Sequence, residues 1–368
     1  MTTWFRPCPE AIGRLVADCQ TWAARAADRL GERVQLMEVC GTHSHAIARA
    51  GIRDLLGSNV RLVSGPGCPV CVTDTPQIDL CIQIAAQPNI ILATFGDMVR
   101  VPGSRGSLED VRAQGGRVRV IYSPMEALQV AVQHPDHEVV MVGVGFETTA
   151  PMIACMVREA KRLGVGNLSL LSAHKLIPPA LGALLASGDV RLHGFLCPGH
   201  VSVVIGSNAY QGIVDDWGVP CVVAGFEPMD ILLAVRMLLQ QVAKGEARVA
   251  NAYPRAVTPQ GNRHAVEAMY SVFEVHDASW RGIGVMPASG LVLRNEWETF
   301  DAMRRFTLVA PEAKEHPACE CGQILRGVRL PAECRSFGRA CTPTRPLGPC
   351  MVSSEGACAA EYRYRVAS

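Results

Sequence analysis

From residue 33 onward, short apolar runs alternate with longer stretches of helical character. The runs are Val34 to Val39, Val60 to Val63, Ile90 to Ala93, Val118 to Ile121, Val139 to Val144, Leu168 to Leu171, Gly194 to Leu196 and Val219 to Ala224. Strand-length apolar runs separated by helices predict parallel sheets covered by helices. The expected fold class is α/β, with two Rossmann-like parallel-sheet domains facing a cleft and a third, Cys-rich domain. The boundaries expected are 33–124 and 125–232 for the sheets and 233–368 for the third region, with 1–32 grouped with it as an option. Ahead of the first run, Arg14, Asp18, Arg25, Asp28 and Arg29 interrupt every apolar stretch, which predicts an amphipathic surface helix.

Many of the runs end in a polar or glycine-rich segment. These are Cys40-Gly-Thr-His43, Gly65-Pro-Gly-Cys-Pro-Val-Cys71, Thr94-Phe-Gly-Asp97, Gly145-Phe-Glu-Thr-Thr149, Cys197-Pro-Gly-His200 and Gly225-Phe-Glu227. Open α/β sheets bind ligands at the carboxyl ends of their strands, so these segments are expected to line one cleft. A faint echo suggests two related halves, since Val60-Arg-Leu62 precedes Cys68-Pro69 as Val190-Arg-Leu192 precedes Cys197-Pro198. After residue 233 the texture changes to a helix ending near Val242, a polar stretch to Gly261 and, from Pro311, a tail rich in Cys, Pro and Gly.

Composition narrows the function. A chain of 368 residues that is 49% hydrophobic buries ample core. Its net charge of +1, from 35 basic and 34 acidic residues, gives no reason to expect a nucleic-acid or anionic-membrane surface. The N-terminal charges leave no signal-peptide core, and no segment offers 18 uninterrupted apolar residues, so a cytoplasmic location is expected. Fifteen cysteines in such a compartment are poorly explained by structural disulfides. Metal or redox chemistry becomes the leading explanation, although Cys8, Cys19, Cys81, Cys155 and Cys221 sit in apolar or helical surroundings and read as small buried or half-buried hydrophobes.

Three groups of cysteines carry the chemistry. Cys40 follows a strand and opens a helix, where backbone amides lower a thiol's pKa and favour a reactive or metal-binding thiolate. The bland alternative is a buried strand end, and His43 and His45 beside it read equally as satisfied imidazoles. Cys68-Pro-Val-Cys71 brings two sulfurs close enough to share a metal or form a reversible disulfide. Cys319, Cys321, Cys334, Cys341, Cys350 and Cys358 offer six candidates for the four ligand places of a thiolate metal centre, zinc or iron-sulfur. Glu147, Thr148 and Thr149 fit either a ligand in the cleft or a helix cap, and Asp97 fits a helix cap.

Taken together, the strand-end words Cys40-Gly-Thr-His43, Gly65-Pro-Gly-Cys-Pro-Val-Cys71, Thr94-Phe-Gly-Asp97, Gly145-Phe-Glu-Thr-Thr-Ala-Pro151 and Cys197-Pro-Gly-His200 resemble the HypD family of hydrogenase maturation proteins. In the tail, Cys321-x12-Cys334-x6-Cys341-x16-Cys358 is similar to that family's 4Fe-4S signature, with Cys319 as an alternative first ligand. The resemblance implies a scaffold that binds iron with a small HypC-like chaperone while cyanide, arriving from a HypE-like donor, and carbon monoxide are attached. The product is the Fe(CN)2CO unit of nickel-iron hydrogenases. By motif, it implies Cys40 as the ligand of that iron, His43 beside it, and Cys68 with Cys71 as a thiol pair at the same cleft. Two rivals remain on the sequence: an iron-sulfur-dependent thiol-disulfide oxidoreductase, and a zinc-stabilised interaction module.

Overall fold

The computed structural model of the chain describes residues 9–309 and 315–366. Cys8 and the start of the tail at Pro311 lie outside the described residues. All eight apolar runs form strands: β1 (Val34–Glu38), β2 (Val60–Ser64), β3 (Ile90–Thr94), β4 (Arg117–Val120), β5 (Glu138–Gly143), β6 (Leu168–Ser172), β7 (Gly194–Pro198) and β8 (Cys221–Ala224). A short β9 (Val249–Asn251) and a hairpin of β10 (Phe273–Trp280) and β11 (Gly284–Leu293) complete the set. In the hairpin, β10 has no apolar run to announce it, because its middle, Glu274 to Asp277, is exposed on both faces.

The strands make two parallel sheets, as the alternation of runs and helices predicts. The first has the order β2-β1-β7-β8-β9 and the second the order β4-β3-β5-β6. Their membership does not follow the expected cut at residue 124, which falls between β4 and β5 of one sheet. The second sheet is a continuous insertion between β2 and β7 of the first. Nor does the echo mark two halves, since β2 and β7 flank β1 in the same sheet. Apolar runs encode that a strand is buried on both faces, not which neighbour it pairs with.

The N-terminal helix Pro9–Leu30 and the helix Pro228–Lys244 pack together over the first sheet. Cys19, Ala23 and Ala26 meet Leu232, Val235 and Leu238 there, with Leu36, Leu196 and Val222 beneath. Burying each large aliphatic side chain contributes about 1.5–3 kcal/mol. Asp18 pairs with Arg236, and Arg29 Nη1 donates to the Val242 carbonyl at 3.0 Å. Residues 9–30 thus belong with the first sheet, not with the Cys-rich tail.

The other face of the first sheet, one face of the second and the tail share a common core, in which Val63, Phe195 and Val223 join Leu92, Val140 and Leu171. Cys19, Cys81 and Cys221 are buried as expected. Cys155 is not: it lies on the outer face of the helix Ala150–Leu163 and is exposed, while Ile153, Ala154, Met156 and Val157 turn inward. Among the described residues, no helix is long and apolar enough to cross a membrane.

Candidate functional site

The polar segments singled out in the sequence all follow strand ends, and backbone contacts draw two of them together. Gly65 N–H donates to the Glu38 carbonyl at 2.8 Å, and Gly41 N–H donates to the Gly67 carbonyl at 3.0 Å. The loop after β2 is thereby sewn to the loop after β1. Gly67 makes this possible by close approach, since a Cβ there would stand 2.1 Å from Cys40 N and 2.2 Å from the Val39 carbonyl carbon. Cys68 caps the short helix Pro69–Val72 by accepting the Cys71 N–H at 3.1 Å, and the two sulfurs form a disulfide.

Cys40 stands at the start of the helix Gly41–Arg49, as its sequence position suggested. Its thiol behaves differently from expectation. Burial pushes it up to about 12, and the Glu355 carboxylate adds to the effect. Here desolvation outweighs the helix amides. The resting thiol is therefore protonated, and a metal must displace that proton to bind. Beneath it lies Glu38, a fully buried carboxyl that the sequence reading missed. It accepts the Cys40 N–H at 3.0 Å and a hydrogen bond from Ser44, and burial raises it to about 7. The only sequence signal was an acid closing a strand whose other residues, Gln35 apart, are apolar.

His43 faces the loop after β8. Its Nε2 lies 2.9 Å from the Gly225 carbonyl, which can only accept, so Nε2 carries the proton. Nδ1 then bears a lone pair, is buried, and has no partner among the described residues. Burial lowers the imidazole to about 4, which keeps that lone pair free at neutral pH. Phe226 lies against His43 and stacks on His200 at 3.9 Å.

The tail reaches the same place. Thr42 Oγ1 donates to Glu355 at 3.2 Å, and Gly41 packs on the Glu355 backbone. Asp97, from the loop after β3, accepts hydrogen bonds from Ser353 Oγ, Ser354 N and Ser354 Oγ, each at 2.9 Å. Asp97 therefore ties the second sheet to the segment between Cys350 and Cys358. Of the cleft residues held equal between ligand and cap, Glu147 does not cap the helix that follows it, Ala150–Leu163; its Oε1 accepts the Ile177 N–H at 2.9 Å, at the start of the helix Ile177–Ser187.

In the tail itself, Cys321, Cys334, Cys341 and Cys358 line one pocket with Cys319, whose sulfur is 3.2 Å from that of Cys321. Cys350 is fully buried next to Cys321 and Cys358, whose hydrogen bonds hold its thiol down at about 5. Leu347 N–H donates to the Cys341 sulfur at 3.4 Å. A pocket walled by soft sulfur donors, with a backbone amide already aimed at one of them, fits a thiolate-held metal centre.

Two buried groups behind the cleft oppose each other in acid. Ser172 Oγ donates to the Leu291 carbonyl at 2.7 Å and so accepts from His174 Nδ1, which leaves His174 Nε2 buried and without a partner among the described residues. Burial lowers His174 from 6.5 to about 3 and raises Glu147 from 4.5 to about 7. Between about pH 6.5 and 4.5 the unfolded chain holds the extra proton at His174 and the native fold holds one at Glu147, so the two slopes offset. Below 4.5 the His174 loss is no longer offset within this pair, and it amounts to up to about 1.4 kcal/mol per pH unit. Urea titrations of Glu147→Gln are expected to show stability falling already from pH 6.5. A variant as flat as the parent in that window would refute the assignment.

The family model described as "HypD: Hydrogenase formation hypA family" matches residues 15–365. The hydrogenase maturation factor HypD of Azotobacter vinelandii is 49% identical over 357 residues, covering 95% of this chain and 94% of its own. That of Cupriavidus necator is 47% identical over 348 residues, with 92% of each chain covered. The HypD of Escherichia coli is 43% identical over 358 residues, covering 97% of this chain and 96% of its own. Identity at that level along nearly the whole length, together with the strand-end cysteines, places this chain in the HypD family of hydrogenase maturation factors.

Proposed function

We propose that this protein is a cytoplasmic scaffold on which the Fe(CN)2CO unit of nickel-iron hydrogenases is assembled. Cys40 ligates the incoming iron, His43 stands beside it, and Cys68 with Cys71 serves as a thiol pair at the same cleft. A small HypC-like chaperone shares the iron, and a HypE-like partner delivers the cyanide. The observation that carries this reading is the sewing of the Cys68/Cys71 loop onto the Cys40 loop through Gly67 and Gly41. It joins the loop of Cys40 to the loop of Cys68 and Cys71, and a soft thiolate beside a thiol pair would suit iron that also carries cyanide and carbonyl.

The tail holds a 4Fe-4S cluster through Cys321, Cys334, Cys341 and Cys358, with Cys319 as an alternative for the first position. Such a cluster supplies single electrons. Opening the Cys68–Cys71 bond takes two electrons and two protons and yields two thiols, so it needs two one-electron transfers from a low-potential donor protein. Support for that route comes from the short helix Pro349–Val352, which carries Cys350 and packs against Pro69–Val72, which carries Cys71.

That same contact favours the second reading, a thiol-disulfide oxidoreductase in which Cys40 is structural. Infrared spectroscopy of the protein purified with its small partner separates the two, paired with iron and sulfide analysis. A scaffold shows cyanide and carbonyl stretches that disappear in Cys40→Ala. Their absence from the parent protein would leave the oxidoreductase. A zinc module would lack both the bands and visible iron-sulfur absorbance.

A further inference from the structure

We infer that Arg281 is the positioning residue that joins the thiol pair to the cysteine centre of the tail and sets the electrical bias between them. This rests on the reading that the tail holds a 4Fe-4S cluster. Arg281 and Gly282 form the tip of the β10–β11 hairpin, and that tip is wedged between the two centres. On one side, Arg281 N–H donates to the Val72 carbonyl at 2.9 Å and Arg281 Nε donates to the Thr73 carbonyl at 3.0 Å. Those two residues directly follow Cys71. On the other side, Gly282 packs backbone to backbone on Gly322, the residue after Cys321, where a Cβ on Gly282 would stand 2.1 Å from the Gly322 Cα. Gly282 also has φ +72°, so both its space and its conformation favour glycine.

The guanidinium itself is only 5% exposed. Nη1 reaches Glu315 at 3.4 Å, at a carboxylate that is half exposed. Nη2 is buried and without a partner among the described residues. Burying a guanidinium with a free donor is costly unless something negative shares the site. A cluster on four thiolates is such a group. A fixed positive charge there stabilises the reduced, more negative form and raises the reduction potential.

The test uses the full chain and titrates the cluster potential by visible absorbance and electron paramagnetic resonance. Arg281→Met is expected to shift the one-electron equilibrium about tenfold toward the oxidised form, which is about 59 mV lower. Arg281→Lys, which keeps the charge, recovers most of that shift. A cluster in Arg281→Met with the parent potential would overturn the inference, and so would a lysine variant as low as the methionine one. Should Arg281→Met fail to fold, Glu315→Gln carries the test, because removing the exposed counter-ion is expected to move the potential up. No shift there overturns it as well. A parent protein without iron, sulfide or visible absorbance would instead sink the cluster reading itself.

Discussion

Replacing Cys334 with alanine is expected to abolish iron-sulfur absorbance and to stop hydrogenase maturation in the same variant. Cys334 lines the tail pocket on a loop of its own, and the nearest cysteine in sequence, Cys341, already lines the same pocket. The extra sulfur of that pocket, Cys319, stands beside Cys321 and so backs up the first ligand position, not that of Cys334. The first ligand position is different, because Cys319 and Cys321 stand 3.2 Å apart and either is able to serve for the other. Cys321→Ala is therefore expected to retain a substantial part of the cluster, while Cys334→Ala retains none. Iron and sulfide content reads the first effect, and activity of co-expressed hydrogenase reads the second. Normal maturation by a cluster-free Cys334→Ala protein would break the proposed link between tail and cleft.

The same contrast explains what the sequence made legible. Strands were readable because continuous apolar runs report burial on both faces, and the thiol pair was readable because its spacing is local. The pairing of β7 beside β1, with a whole sheet inserted between them in sequence, left no local trace. Asp97 is a case of the same kind. It stands in a 3-10 turn where capping is the ordinary expectation, yet its partners are Ser353 and Ser354, far along the chain. Arg281 sits in a hairpin whose polar middle hid the strand that carries it. At Cys40 the position was right and the electrostatics reversed, because a helix N-terminus argues for a low thiol pKa only while the sulfur keeps some solvent. Here burial and two neighbouring carboxyls win.

The second large effect is expected from a single methyl group. Gly67→Ala would set a Cβ 2.1 Å from Cys40 N, 2.2 Å from the Val39 carbonyl carbon and 2.5 Å from the Cys40 Cα. These are backbone atoms at the end of a buried strand, so no side chain can swing aside to relieve the contact. Overpacking of this kind costs about 1–3 kcal/mol, and separating the loops also loses the Gly41 to Gly67 hydrogen bond, worth about 1 kcal/mol. A urea midpoint lower by the equivalent of roughly 2–4 kcal/mol is expected. The functional loss should exceed the loss of stability, because the junction that brings Cys40 to the Cys68/Cys71 pair is what opens. Cyanide and carbonyl bands should vanish from the variant purified with its partner, while absorbance of the tail cluster persists, since Gly67 makes no contact there among the nearest atoms. Should the bands survive in a folded Gly67→Ala protein, the iron is not positioned by this junction, and Cys40 holds it without help from the thiol-pair loop.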